Sequence, residues 1–162
     1  MASIKKSNVM RLLEQAKIPY EAFEYDGEGG KIGGETIALR IGQPVNLVCK
    51  TLVTTTEHRE HFVFVVPVNG GLDLKKAAKA AGVKSLDMLP LKKLFPLTGY
   101  FHGGCSPVGL KTAMKVFIDD SVQDADVMYV SGGRIGLNVK VNPRALAKLV
   151  DATFAPIATN KA

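Results

Sequence analysis

The chain has 162 residues, with 21 Lys and Arg against 15 Asp and Glu, two Cys and no Trp. That length suits one domain with a real core, and 46% hydrophobic with 22% charged residues excludes disordered, collagenous and coiled-coil chains. The longest apolar run, Phe62 to Val68, is far too short for a membrane span, and the first residues lack the apolar segment of a secretory signal. Two cysteines in such a chain read as reduced thiols rather than a disulfide framework, and the expected location is the cytoplasm.

From the N-terminus, Ser7 to Lys17 repeats Val9, Leu12, Leu13 and Ala16 at helical spacing, with Pro19 preventing continuation. Tyr20 to Tyr25 alternates as a strand. Asp26 to Gly34 is a glycine-rich loop, and Glu35 to Ile41 a short helix ended by Gly42. Val48 to Thr55 and His61 to Val68 are β-rich runs joined in a hairpin. The second is apolar throughout and is expected to be buried on both faces. Asp73 caps a helix through Ala81, closed by Gly82, with Leu74, Ala77, Ala78 and Ala81 inward and Lys75, Lys76 and Lys79 outward.

Ser85 to Met88 reads as a short strand and Pro90 to Phe95 as a helical turn. Leu97 to His102 leads into an irregular loop, Gly103-Gly104-Cys105-Ser106-Pro107-Val108-Gly109. Strands follow at Val116 to Asp119, Val127 to Ser131 and Ile135 to Val141. A helix opened by Asn142-Pro143 runs through Val150, and Thr153 to Ile157 forms a last strand. Hairpins mixed with helices predict an α/β (α+β mixed) fold, one domain over residues 1–162 with a mixed sheet.

The charge is uneven. Residues 71–115 hold eight lysines against Asp73 and Asp87, which is the whole surplus of +6, while the segments on either side balance. Clustered charge of one sign attracts a polyanion such as nucleic acid; the alternative is a solvated lysine-rich surface.

Most motifs with known chemistry fail here. The glycine-rich loop lacks the final Gly of a dinucleotide fingerprint, Gly34 is followed by Glu35 rather than the Lys of a phosphate loop, and no Cys or His cluster backs His58 and His61 as metal ligands. Gly104 to Gly109 has one residue too many for a serine-nucleophile elbow. Cys49 and Cys105 remain either reactive thiols or small buried hydrophobes. Gly103 and Gly104 either turn N–H groups toward a ligand or form a plain turn. Lys50, opposite Cys49, Thr51 and Val53 by strand alternation, either points into a cavity or lies in water on an edge strand.

Cys49-Lys50-Thr51-Leu52-Val53, Leu72 to Ala78, Thr98-Gly99-Tyr100 running into Gly103 to Gly109, and Tyr129 to Gly136 together resemble the YbaK/EbsC family, from about Val9 to Ile157. The resemblance implies a partly barrel-like sheet flanked by helices, no cofactor and no metal. It implies a trans-editing enzyme that removes the amino acid from mischarged tRNA, cysteine from the proline tRNA in one branch and alanine in others. Prolyl-tRNA synthetase is an implied partner in a ternary complex. Lys50 maps to the residue most needed for activity, and Gly103, Gly104, Cys105, Ser106 and Pro107 to the loop that holds the aminoacyl end. Tyr25, Ser131 and the following Gly132 match further pocket positions.

Ile32 stands where the cysteine branch usually has an aromatic residue, so cysteine and alanine both stay open. In the implied cysteine mechanism the substrate's own thiol attacks its ester while Lys50 and loop amides hold the oxyanion. Lys75, Lys76 and Lys79 are then the expected contacts for tRNA phosphates. A noncatalytic domain binding small molecules or a synthetase, and a redox protein using Cys49 and Cys105, are the readings from other classes.

Overall fold

The hairpin predicted between the two β-rich runs organises the protein in the computed structural model, which describes residues 4–159. Strand β2 (Cys49–Thr55) pairs antiparallel with β3 (His61–Pro67) in a register that sets Lys50 against Val66 and Leu52 against Phe64. Before them come α1 (Asn8–Gln15), β1 (Glu21–Glu24) and α2 (Gly34–Ile41). After them come α3 (Leu74–Ala81), β4 (Asp87–Met88), α4 (Leu94–Thr98), β5 (Lys115–Asp119), β6 (Met128–Ser131), β7 (Leu137–Val141), α5 (Pro143–Val150) and β8 (Thr153–Ala155).

Two sheets result. One is mixed, in the order β4-β2-β3-β5-β8, with β5 parallel to both β3 and β8; the other is antiparallel, β1-β7-β6. They meet at a single parallel bridge, Val48 to Tyr129, where the Tyr129 amide donates to Leu47 O at 2.9 Å. Beyond that bridge they diverge, and no closed barrel forms among the described residues.

The two sheets enclose one core. Cys49, Val53, Val63, Val65, Val116 and Ile118 of the mixed sheet face Met128, Val130, Leu137 and Val139 of the other, with Val9 and Leu13 of α1 and Leu146 of α5. On the other face of β3, Phe62, Phe64 and Val66 pack beneath Ala77 and Ala78 of α3, and Phe64 stacks on Phe117 with ring centroids 5.3 Å apart. β3 is therefore buried on both faces, as its uninterrupted apolar run predicts. Each such side chain contributes about 1.5–3 kcal/mol.

The starts of α1, α3 and α5 carry side-chain caps, those at Asp73 and Asn142 as read from the sequence. Ser7 accepts from the Met10 amide, Asp73 from the Lys75 and Lys76 amides, and Asn142 from the Arg144 and Ala145 amides. Several bounds differ from expectation: β4 keeps only Asp87–Met88 of the strand expected from Ser85, and β8 ends at Ala155 rather than Ile157. The turn at Pro90 to Phe95 becomes a 3-10 turn, Leu91–Lys93, that runs on as α4 through Thr98. Pro96 is tolerated there because it lies in the helix's first turn, where its missing N–H has no intrahelical partner to lose. β7 begins at Leu137, since Gly136 sits at φ +89° and breaks the strand expected from Ile135.

Candidate active site

Pairing along β2 leaves part of its outer edge open. The Val68 amide donates to Val48 O at 2.8 Å, which places Lys50 and Leu52 among the residues whose main chain bonds β3. The intervening residues turn their main chain the other way. Val53 O is taken by the Leu89 amide at one end and Val48 bridges Tyr129 at the other, so the main chain of Thr51 faces the gap where the sheets part. β2 is thus inside the sheet at both ends and an edge in its middle.

That gap is a cavity of about 310 Å³. Lys50, Thr51 and Leu52 form its floor, Ile32, Gly33, Gly34 and Ile37 one wall, and Leu94, His102, Gly103 and Cys105 another, with Tyr25, Ser131 and Asn138 completing it. Two close approaches shape the walls. A Cβ on Gly34 would sit 2.3 Å from a Val68 methyl, and one on Gly103, at φ +92°, would sit 2.9 Å from Gly30 Cα. Only glycine lets α2 and the two loops close in to this degree.

The electrostatics are one-sided. Lys50 is half-buried and forms no ion pair among the described residues. α2 starts at the cavity with Gly33 and Gly34, and Gly33 supplies no side-chain cap, so the positive end of the helix adds to the lysine, offset in part by Glu35 in its first turn. Two of the lining residues, Asn138 and Thr51, bury a side-chain oxygen (Oδ1 and Oγ1) without a partner among the described residues. Asn138 is 4% exposed and pairs across the strands with Ser131, whose hydroxyl accepts from the Gly133 amide at 3.1 Å. Burial pushes the Tyr25 phenol up, against the opposing pull of a hydrogen bond from Gly136, so it is a neutral hydroxyl. An ammonium and a helix N-terminus in one apolar-walled cavity suit a small polar group that carries a carbonyl.

The sequence-predicted residues separate into two sets. Tyr25, Ile32, Lys50, Gly103, Cys105 and Ser131 all line the cavity. Gly104, Ser106, Pro107 and Gly132 lie behind it. The Gly104 amide donates to Phe101 O, the Gly132 amide donates to Leu137 O, and the buried Ser106 hydroxyl accepts from the Val108 amide. These residues brace the loop, and the Gly104 N–H is spent inside it. Lys75 and Lys79 are exposed on α3, whereas Lys76 donates to Ala158 O at 3.3 Å and lines a different cavity.

Asn138 and Thr51 carry no sequence signal of their own. Leu137-Asn138-Val139-Lys140-Val141 alternates like any strand with a solvated face, yet Asn138 is buried under the cavity. His102 and Leu94 were likewise placed only by the path of the chain.

Neither cysteine is an activated nucleophile. Burial raises the thiol of Cys49 strongly, with Asp119 adding to the effect, and pushes that of Cys105 up to about 12. At pH 8 roughly one Cys105 in ten thousand is a thiolate. Both folded values lie above the unfolded one, so maleimide labelling at pH 8 is slow in the native protein and fast in urea. Fast native labelling of either cysteine would contradict this.

The aminoacyl-tRNA editing domain family matches residues 35–149, and the chain belongs to that family. EbsC of Enterococcus faecalis, provisionally assigned as a Cys-tRNA(Pro)/Cys-tRNA(Cys) deacylase, is 38% identical over 97% of this chain and 96% of its own length. A proline–tRNA ligase of Burkholderia orbicola is 25% identical over 85% of this chain, which spans 25% of that enzyme. Among solved structures, one provisionally assigned as a trans-editing enzyme for prolyl tRNA synthetase superposes with a TM-score of 0.81 at 24% identity, covering 96% of this chain and all of the other. That likeness speaks to the fold.

Proposed function

We propose that the protein is a trans-editing deacylase that removes cysteine from the proline tRNA. The observation that carries this reading is the cavity itself. It holds the Lys50 ammonium, without an ion pair among the described residues, beside a helix N-terminus, with no activated protein nucleophile among its lining residues. The ester carbonyl of an aminoacyl-tRNA lies toward Lys50, where its oxygen gains negative charge as the carbon is attacked. The hydroxyls of Tyr25 and Ser131, both on lining residues, supply the polar contacts for the substrate's α-ammonium. Ile32, Ile37 and Leu94 surround a small side chain.

A free-standing editing domain is physically useful. A synthetase pocket built for proline discriminates poorly against a smaller amino acid, because one methylene is worth only about 1–3 kcal/mol. The match to one quarter of a proline–tRNA ligase supports an association with such a synthetase, in which this chain meets the tRNA after mischarging. Lys75 and Lys79, exposed on α3, belong on the phosphate-facing side in that complex. The proposed place is beside that synthetase in the cytoplasm; among the described residues no helix is long and apolar enough to cross a membrane.

The test is direct. Purified protein at micromolar concentration should speed the loss of cysteine from charged proline tRNA at least a hundredfold over the spontaneous rate. A rate equal to the buffer control would leave a binding domain in its place.

A further inference from the structure

We propose that the stacked Phe95–Phe101 pair, with the basic cleft beside it, seats the unpaired 3′ nucleotides of the tRNA acceptor end. This rests on the function proposed above and adds the surface that holds the nucleic acid.

Phe95 is 47% exposed and Phe101 62%, so two of the largest apolar side chains forgo burial. They are not scattered. Their rings stack with centroids 4.3 Å apart and planes within 13°, which leaves an outer ring face open to extend the stack. The pair stands at the cavity rim, because the residues next to them, Leu94 and His102, both line the cavity.

On the far side of the same segment lies a cleft of about 460 Å³ lined by Arg59, His61, Lys92, Lys93, Pro96 and Leu97 among others, with no carboxylate in the lining. His61 Nδ1 is buried there without a partner. Lys92 and Lys93 belong to the stretch that carries the chain's entire charge surplus.

Aromatic faces interleaved with cations suit single-stranded RNA, whose bases stack while its phosphates pair. A protein-docking patch would more often be poor in lysine. The two sites lie within reach of one another. β2 runs from Lys50 in the cavity to Thr55 in the cleft, five residues or about 17 Å, a span of a few nucleotides. With the ester at Lys50, the last unpaired bases fall on the phenylalanine pair and their phosphates reach Arg59, Lys92 and Lys93.

The experiment uses proline tRNA carrying 2-aminopurine at its last unpaired positions, read against a protein that contains no Trp. Stacking on the wild-type protein should quench the probe. Phe95→Ala and Phe101→Ala should each remove most of the quench and raise the KM for charged tRNA about tenfold, more than they lower kcat. Phe101→Tyr should restore both, since it keeps the ring. Lys92→Gln and Lys93→Gln should each reduce the slope of log affinity against log salt by about 0.7–0.9. Full quench and unchanged KM in the alanine variants would overturn the proposal, as would loss of synthetase association with the quench intact. A wild-type protein that removes no amino acid would instead overturn the function proposed above.

Discussion

Replacing Lys50 with alanine should lower single-turnover deacylation by a factor of about a hundred to a thousand while leaving the thermal transition in place. The size follows from the role. A preorganised charge beside a developing oxyanion is worth about 3–4 kcal/mol of barrier. The preserved fold follows from the surroundings. Lys50 has no ion-pair partner among the described residues, so its removal leaves no buried charge uncompensated. Its main chain remains paired with β3 opposite Val66.

Lys50→Arg should not restore the rate. The guanidinium is a planar fork that needs more room than a compact ammonium, and the glycine approaches at Gly34 and Gly103 leave the walls little freedom to move. Near wild-type activity in a well-folded alanine variant would remove Lys50 from the chemistry and leave the helix N-terminus at Gly34 as the main source of positive potential.

Local signals carried most of the fold. The apolar run of β3 required burial on both faces, and Asp73 and Asn142 each capped the helix they precede. α4 was less legible because Pro96 reads as a breaker unless it is known to lie in a first turn. The site was legible only in part, for a different reason. Lys50 stands out because a charged residue interrupts a β-rich run. Asn138 does not, because its polarity fits an ordinary outward position and its burial depends on β1 and β6 closing over it from either side.

The loop from Gly103 to Gly109 shows the same limit. Its composition identifies a segment free to approach a ligand, but which amide points inward is a matter of three-dimensional path. Gly103 lines the cavity, while Gly104 turns its N–H back to Phe101. The charge surplus was located by counting, yet only the fold divides it between α3 and the cleft at Lys92 and Lys93.

Charged with cysteine, serine or alanine, proline tRNA should lose its amino acid at very different rates: cysteine fast, serine far slower and alanine near the spontaneous rate. The order follows from where a nucleophile can come from. Cys105 lines the cavity with its thiol pushed up to about 12 and Cys49 lies higher still, so neither attacks. The substrate's thiol is different. With an ordinary pKa near 8.5, a few per cent is thiolate at neutral pH, and it is tethered beside the carbonyl.

Attack by that sulfur forms an S–C bond and breaks the ester C–O bond. The proton lost by the thiol ends on the 3′ hydroxyl of the released tRNA, and the amino acid leaves as a four-membered thiolactone that water opens to cysteine. Lys50 carries the oxyanion throughout. A serine hydroxyl is a much weaker nucleophile at this pH, and alanine has none. The cysteine rate should therefore climb from pH 7 toward 8.5 with the substrate thiol, and tRNA charged with S-methylcysteine should persist. Alanine removed as fast as cysteine, or S-methylcysteine removed at all quickly, would mean that an activated water attacks, with Ile32 in the cavity wall shaping a pocket for the smaller side chain.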